Sequence, residues 1–150
     1  MKKRTTIWML CLVAIMGWSG SVYAQTANPE AMKTIKLPSG EQVYDLNGEW
    51  DVIVENYAYW ERFGTYPNVF KISQEGASFT GIRLKDNTPP AMGVAGSKCL
   101  QGEADKSGIK KLEVIAGGGD VLATKWQISA DGNRIFVDAP DHSRLWLTRK

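Results

Sequence analysis

Apolar and polar positions alternate in short runs from residue 46 onward. In Leu46–Tyr57 (LNGEWDVIVENY), Trp50, Val52 and Val54 fall on one side of an extended chain. Glu49, Asp51 and Glu55 fall on the other, the period of two expected of a strand with one buried face. Similar runs follow at Val69–Gln74, Ser78–Lys85, Lys98–Ala104, Ile109–Ile115, Thr124–Ser129, Asn133–Asp138 and Ser143–Arg149. The joints between them carry turn chemistry: Glu75-Gly76-Ala77, Asp105–Gly108, Ala116–Asp120 (AGGGD) and Asp131-Gly132. Asp86–Ser97, with two prolines and two glycines, reads as a long loop. Only Ala58–Gly64 reads as helical. Eight short strands with short joints predict an all-β fold, an eight-stranded antiparallel up-and-down barrel that removes its edges by closing on itself. A two-sheet β-sandwich satisfies the same pattern and is the second choice.

The first residues change the picture of where this domain works. Lys2, Lys3 and Arg4 precede an apolar core, Ile7–Met16, and Val22-Tyr23-Ala24 has small residues where a signal peptidase reads. The expectation is a signal peptide over 1–24, cleaved after Ala24, and a periplasmic or secreted product. The apolar run is shorter than the ~20 residues that span a bilayer, so no membrane anchor is expected. Residues 25–44 read as an N-terminal arm. Asn28-Pro29-Glu30 could open a single helical turn through Lys33, and Thr34–Leu37 and Gln42–Tyr44 are extended about the turn Pro38-Ser39-Gly40-Glu41. A short hairpin and an extended arm fit equally, and Ile35, Leu37, Val43 and Tyr44 predict that the arm docks on the body. Residues 45–150 form the barrel domain.

Charge and cysteine content then exclude some functions. The 18 Lys and Arg, less the three before the apolar core, leave 15 against 16 Asp and Glu. A near-neutral domain argues against electrostatic binding of nucleic acid. Cys11 leaves with the signal, so only Cys99 remains and no internal disulfide can form. A small strand residue, half-buried, is the reading preferred for Cys99 over a nucleophile.

The opening Gly48-Glu49-Trp50, with Arg149 in the closing LWLTRK, resembles the lipocalin-like (calycin) barrels, whose first strand begins Gly-x-Trp and whose last strand carries an arginine across that tryptophan. The hairpin ATKWQISADGNRIFVD is similar to the closing strands of such barrels. The span 45–150 is also similar to small exported bacterial proteins of unknown function that share a DLxGEWD opening and a QxGxxFxG hairpin, here Gln74–Gly81. The chain departs from a typical lipocalin in having no disulfide and no helix after its last strand. The resemblance implies a barrel end closed by Gly48, Trp50 and Arg149. The physics agrees, because a guanidinium stacks favourably on an indole face, and Gly48 is expected to leave room for that approach.

Catalytic chemistry finds little footing. His142 is the one histidine, in the turn Pro140–Ser143. A nucleophile–histidine–carboxylate arrangement needs partners that orient it, and Asp141 beside it in sequence is poorly placed for that. One histidine and one cysteine do not make a metal site. Glu49, Asp51 and Glu55 read as a solvated outer face. Gly117-Gly118-Gly119 precedes no helix and so lacks the setting of a phosphate loop. No catalytic residue, metal or cofactor is expected.

Binding has more to offer. Tyr57, Tyr59, Trp60, Phe63, Tyr66 and Phe70 fall within fourteen residues, a density that supplies contact area and hydrogen-bonding tips. In a barrel they would gather at one open end, with Tyr59, Trp60 and Tyr66 the most exposed, and Asp86–Ser97 would be a lip if it lies at the same end. The opposing reading is that they fold over the opening while Trp50, Trp126 and Phe70 fill a shallow interior. The sequence therefore predicts a monomeric, non-enzymatic exported barrel that holds a small apolar or aromatic ligand, or a protein partner, at its aromatic end. The alternative is a protein-interaction barrel with a filled core, similar in layout to exported protease inhibitors whose N-terminal arm enters the protease cleft.

Overall fold

A computed structural model describes residues 32–150. The expected signal peptide, the first residues of the arm and most of the turn expected from Asn28 lie outside the described residues. The arm that is described forms a hairpin. Strands β1 (Thr34–Lys36) and β2 (Gln42–Tyr44) pair antiparallel, and their turn is closed by Gly40 N–H donating to Leu37 O at 2.9 Å.

Nine further strands build one sheet: β3 (Gly48–Asn56), β4 (Thr65–Glu75), β5 (Ser78–Arg83), β6 (Lys98–Asp105), β7 (Gly108–Ile115), β8 (Val121–Ala123), β9 (Lys125–Ile128), β10 (Arg134–Ala139) and β11 (Ser143–Arg149). The strand order is β8-β7-β6-β5-β4-β3-β11-β10-β9, and every neighbouring pair is antiparallel. The result is the expected all-β up-and-down barrel, nearly closed, with nine strands in place of eight. The difference lies in the expected strand Thr124–Ser129. Its ordered part begins earlier, at Val121, and is interrupted at Thr124, so that β8 pairs with β7 while β9 pairs with β10. Thr124 marks the switch, its hydroxyl donating to Leu112 O at 2.8 Å. Both edges of the sheet thus come from one bent segment, which leaves little unpaired edge.

A second difference is at β4, which begins at Thr65 rather than Val69. Pro67 reads as a strand breaker because it has no N–H for a ladder. Here it lies beyond the end of β5, whose pairing with β4 stops at Phe70–Arg83. At Pro67 the strand has only β3 beside it, through Ile53, and the missing donor costs no ladder bond.

The up-and-down course sorts the joints between two ends. The β1–β2 hairpin, the turns after β4, β6 and β9, and the end of β11 share one. Residues 57–64, 84–97, 116–120 and 140–142 share the other. The hairpin seals the first end: Met32, Val43, Tyr44 and Leu46 are buried, and Met32, Tyr44 and Leu46 join the barrel core. Tyr44 lies beneath the turn after β9 and donates its hydroxyl to Gly132 O. A Cβ at Gly132 would stand 2.9 Å from the Tyr44 ring, so glycine is what lets the turn settle there. Above this plug Trp50, Val52, Ile72, Phe79, Leu100 and Leu147 fill the interior, each worth roughly 1.5–3 kcal/mol of burial. The outer face of β3 is as expected, with Glu49 and Asp51 exposed and Glu55 half-buried.

Candidate functional site

At the sealed end Trp50 and Arg149 are paired across β3 and β11. The Arg149 guanidinium carbon lies 4.4 Å from the Trp50 ring centroid. The same guanidinium donates to Asn47 O at 3.2 Å, to Tyr44 Oη at 3.3 Å and to Asp45 O. Trp50 donates its indole N–H to Leu46 O at 3.0 Å. This end is a fastening of first strand, last strand and arm. The role expected of Gly48 needs correcting. A Cβ there would meet nothing within 4 Å, so glycine is not making space; it supplies a φ of +122° that other residues rarely adopt.

The other end is where the aromatic segment lies, and the loop after β5 lies there too. Residues Ala58–Phe63 form a short 3-10 helix, and the loop carries a second, Pro90–Met92. Asn87 holds the loop in shape: its side chain donates to Met92 O at 2.9 Å and accepts from Asn68 Nδ2 at 2.9 Å, and its own N–H donates to Gly93 O at 2.8 Å. The loop then packs on the glycine turn after β7. A Cβ at Gly117 would stand 2.7 Å from the Met92 carbonyl carbon, so these two backbones touch only because residue 117 has no side chain.

Between loop, turn and helix lies a cavity of about 240 Å³. Its apolar wall is made by Val54, Trp60, Tyr66, Phe70, Val114 and Leu145. Of the six aromatic residues expected at a ligand mouth, Trp60, Tyr66 and Phe70 line this cavity, and Tyr57, Tyr59 and Phe63 do not. Tyr66 and Phe70 are buried and Trp60 half-buried, so the exposure expected of Tyr66 is corrected: the early start of β4 turns it inward opposite Val54. Phe63 stacks on Trp60 with centroids 5.6 Å apart and backs it from outside. Tyr59 is 69% exposed. Tyr57 sits on the outer rim, donating to Asp138 Oδ1 at 3.1 Å, beneath Arg144 and edge-on to His142.

Arg83, Asn56 and Asp141 put polar groups on the cavity, and the sequence pointed to neither Arg83 nor Asn56. Arg83 is 5% exposed and lies on the inward face of β5 with Phe79 and Gly81. It donates to Ser97 Oγ and Lys98 O at 3.0 Å and to Ile115 O at 3.1 Å, and its Nε has no partner. Asn56 is 4% exposed, and its Oδ1 also lacks a partner. Asp141 accepts from the N–H and hydroxyl of Ser143 at 3.1 and 2.6 Å. The inward phase of S-F-T-G-I-R is the signal that could have found Arg83. Burial pushes the Tyr66 phenol up, while Asn56 and Arg83 pull it back in part.

Cys99, on the same cavity, is fully buried rather than half-buried, and burial pushes its thiol up to about 12 despite the nearby Arg83. A thiol held neutral in this way is a wall atom, not a nucleophile. His142 is exposed and turned to Tyr57. Among the described residues there is no group of three metal-binding side chains, and no helix long and apolar enough to cross a membrane. Compared with known proteins, the chain matches no family model, no curated protein and no solved structure.

Proposed function

We propose that this chain is an exported lipocalin-like binding protein that holds a small, largely apolar or aromatic ligand in the cavity beneath Trp60 and does no chemistry on it. The observation that carries this reading is the contrast between the two ends. One is filled by a hairpin and a stacked arginine, and the other keeps an apolar cavity with aromatic walls. At about 240 Å³, the cavity is just below the ~300–1,000 Å³ usual for drug-sized ligands, which suits a compact molecule with one ring or a short chain. Native mass spectrometry of the full chain, produced with its own leader and purified without organic solvent, tests it. A bound small molecule that is lost from a Phe70→Trp variant supports the reading; protein that arrives empty and gains no mass with small aromatic compounds opposes it.

A second reading, a protein-interaction barrel, rests on a different place. Phe136, Trp146, Ile53 and Pro67 are successive cross-strand neighbours on the outer wall. Trp146 and Ile53 are 39% and 44% exposed, an apolar row on a surface that is otherwise polar there. Of the arm, Gln25–Leu37, that an inhibitor of the arm-insertion kind would need extended, Thr34–Lys36 is the first strand of a hairpin packed on the barrel. On this reading a partner of this chain would meet the wall, and in the same mass spectra it would appear as a co-purifying chain.

A further inference from the structure

A positive charge lies buried in the cavity wall with no negative charge against it. Arg83 belongs to none of the ion pairs among the described residues. Its three acceptors are two backbone carbonyls and a hydroxyl, dipoles that offset only part of the cost of taking a cation out of water. Gly93 covers it from the lip, since a Cβ there would stand 2.7 Å from Nε and Cζ. The one carboxylate on the cavity lining, Asp141, spends an oxygen on its own turn through Ser143. The three bonds to Ser97, Lys98 and Ile115 call for donors at this position of β5, but not for a charge. The inward neighbours Phe79 and Gly81 are apolar, and an apolar residue would cost less if packing alone were served.

We propose that the ligand carries a carboxylate, and that Arg83 is the group that selects it. This rests on the reading of the cavity as a ligand site. The apolar body of the ligand lies against Val54, Phe70 and Leu145, and its anionic head lies toward Arg83. In a partly enclosed cavity the attraction between head group and guanidinium is stronger than at an open surface, so an uncharged analogue of the same shape is discriminated against. A single guanidinium in a cavity of about 240 Å³ suits one compact, singly charged head group rather than a larger polyanion.

The test compares hydrocinnamate with hydrocinnamyl alcohol by isothermal titration calorimetry on the wild-type full chain. The two probes share ring and spacer and differ in charge. Binding of the acid about tenfold or more tighter than the alcohol, with the preference abolished in Arg83→Gln, is the expected result. An alcohol that binds as well as the acid, or an Arg83→Gln variant that keeps the preference, overturns the role of Arg83 and leaves the cavity reading standing. Failure of both probes to bind wild type overturns the cavity reading for this size of ligand, and the proposal with it. Arg83→Gln also loses hydrogen bonds to Lys98 and Ile115, so its fold is checked by circular dichroism. Should that variant not fold, the wild-type comparison decides alone.

Discussion

Arg149 lies face-on over Trp50, 4.4 Å from guanidinium carbon to ring centroid, and the two residues are direct partners across the first and last long strands. Because that guanidinium also reaches Asn47, Asp45 and Tyr44, a single side chain ties the start of β3 and the end of β11 to the arm. This end is fastened, and the cavity lies at the opposite one.

Removing the fastener measures it. Arg149→Ala loses the stacking, two hydrogen bonds to backbone and one to the Tyr44 hydroxyl, and about 2–3 kcal/mol of stability is expected to go with them. Arg149→Lys keeps the charge but not the planar fork, so it recovers less than half of the loss. Urea denaturation of both variants checks this. A loss below about 0.5 kcal/mol for Arg149→Ala, the range of an ordinary surface change, would contradict it.

Adjacent glycines in the turn after β7 are expected to behave differently. At Gly117 an added Cβ meets the Met92 backbone at 2.7 Å, whereas at Gly118 the nearest atom is 3.9 Å away. Gly117→Ala must push the lip from the turn and should cost about 1–3 kcal/mol; Gly118→Ala should stay within about 0.5 kcal/mol. Thermal unfolding of the pair distinguishes them, and equal midpoints would remove the lip–turn contact from the account.

Alkaline pH should loosen the barrel from its interior. Burial raises the Cys99 thiol from 9.0 to about 12. The folded state therefore holds that proton over a range where the unfolded chain has released it. The stabilisation is complete below about pH 9 and is lost as pH rises toward 12. Tyr44 and Tyr66, also raised mainly by burial, act in the same direction above pH 10.0. Urea midpoints should fall across that window, and less steeply in Cys99→Ala once its own lower stability is subtracted. An unchanged slope in the variant would mean that the thiol is not the group responsible. At pH 8 the native thiol should resist iodoacetamide and react only on unfolding.

Much of the fold was legible because alternation reports which face of a strand is buried. Trp50, Val52 and Val54 stand where that pattern puts them. The errors have local causes. Pro67 hid the first turns of β4 because its lack of a ladder neighbour depends on where β5 stops, which is a property of two strands together. Thr124 hid the split between β8 and β9 for the same kind of reason. At the candidate site, aromatic density pointed to the correct end but not to the correct side chains. Tyr59 and Phe63 follow the course of a 3-10 helix that sets them against Trp60, and Tyr57, just before it, turns to His142 on the outer rim. Arg83 and Asn56 were missed because polar residues on an inward phase look like exceptions to a pattern until a cavity is seen beside them.

The central claim is that ligand enters at the open end and leaves the sealed end untouched. Four tryptophans in the described residues report on four places: Trp60 on the cavity, Trp50 at the plug, Trp126 in the wall and Trp146 on the outer face. The most direct measurement is the set of their indole N–H resonances in nitrogen-15 correlation spectra during titration with hydrocinnamate. Ligand bound at the open end gives a large saturable shift of the Trp60 indole with Trp50 and Trp146 in place. A saturable shift at Trp146 or Trp50 with Trp60 unmoved would contradict it.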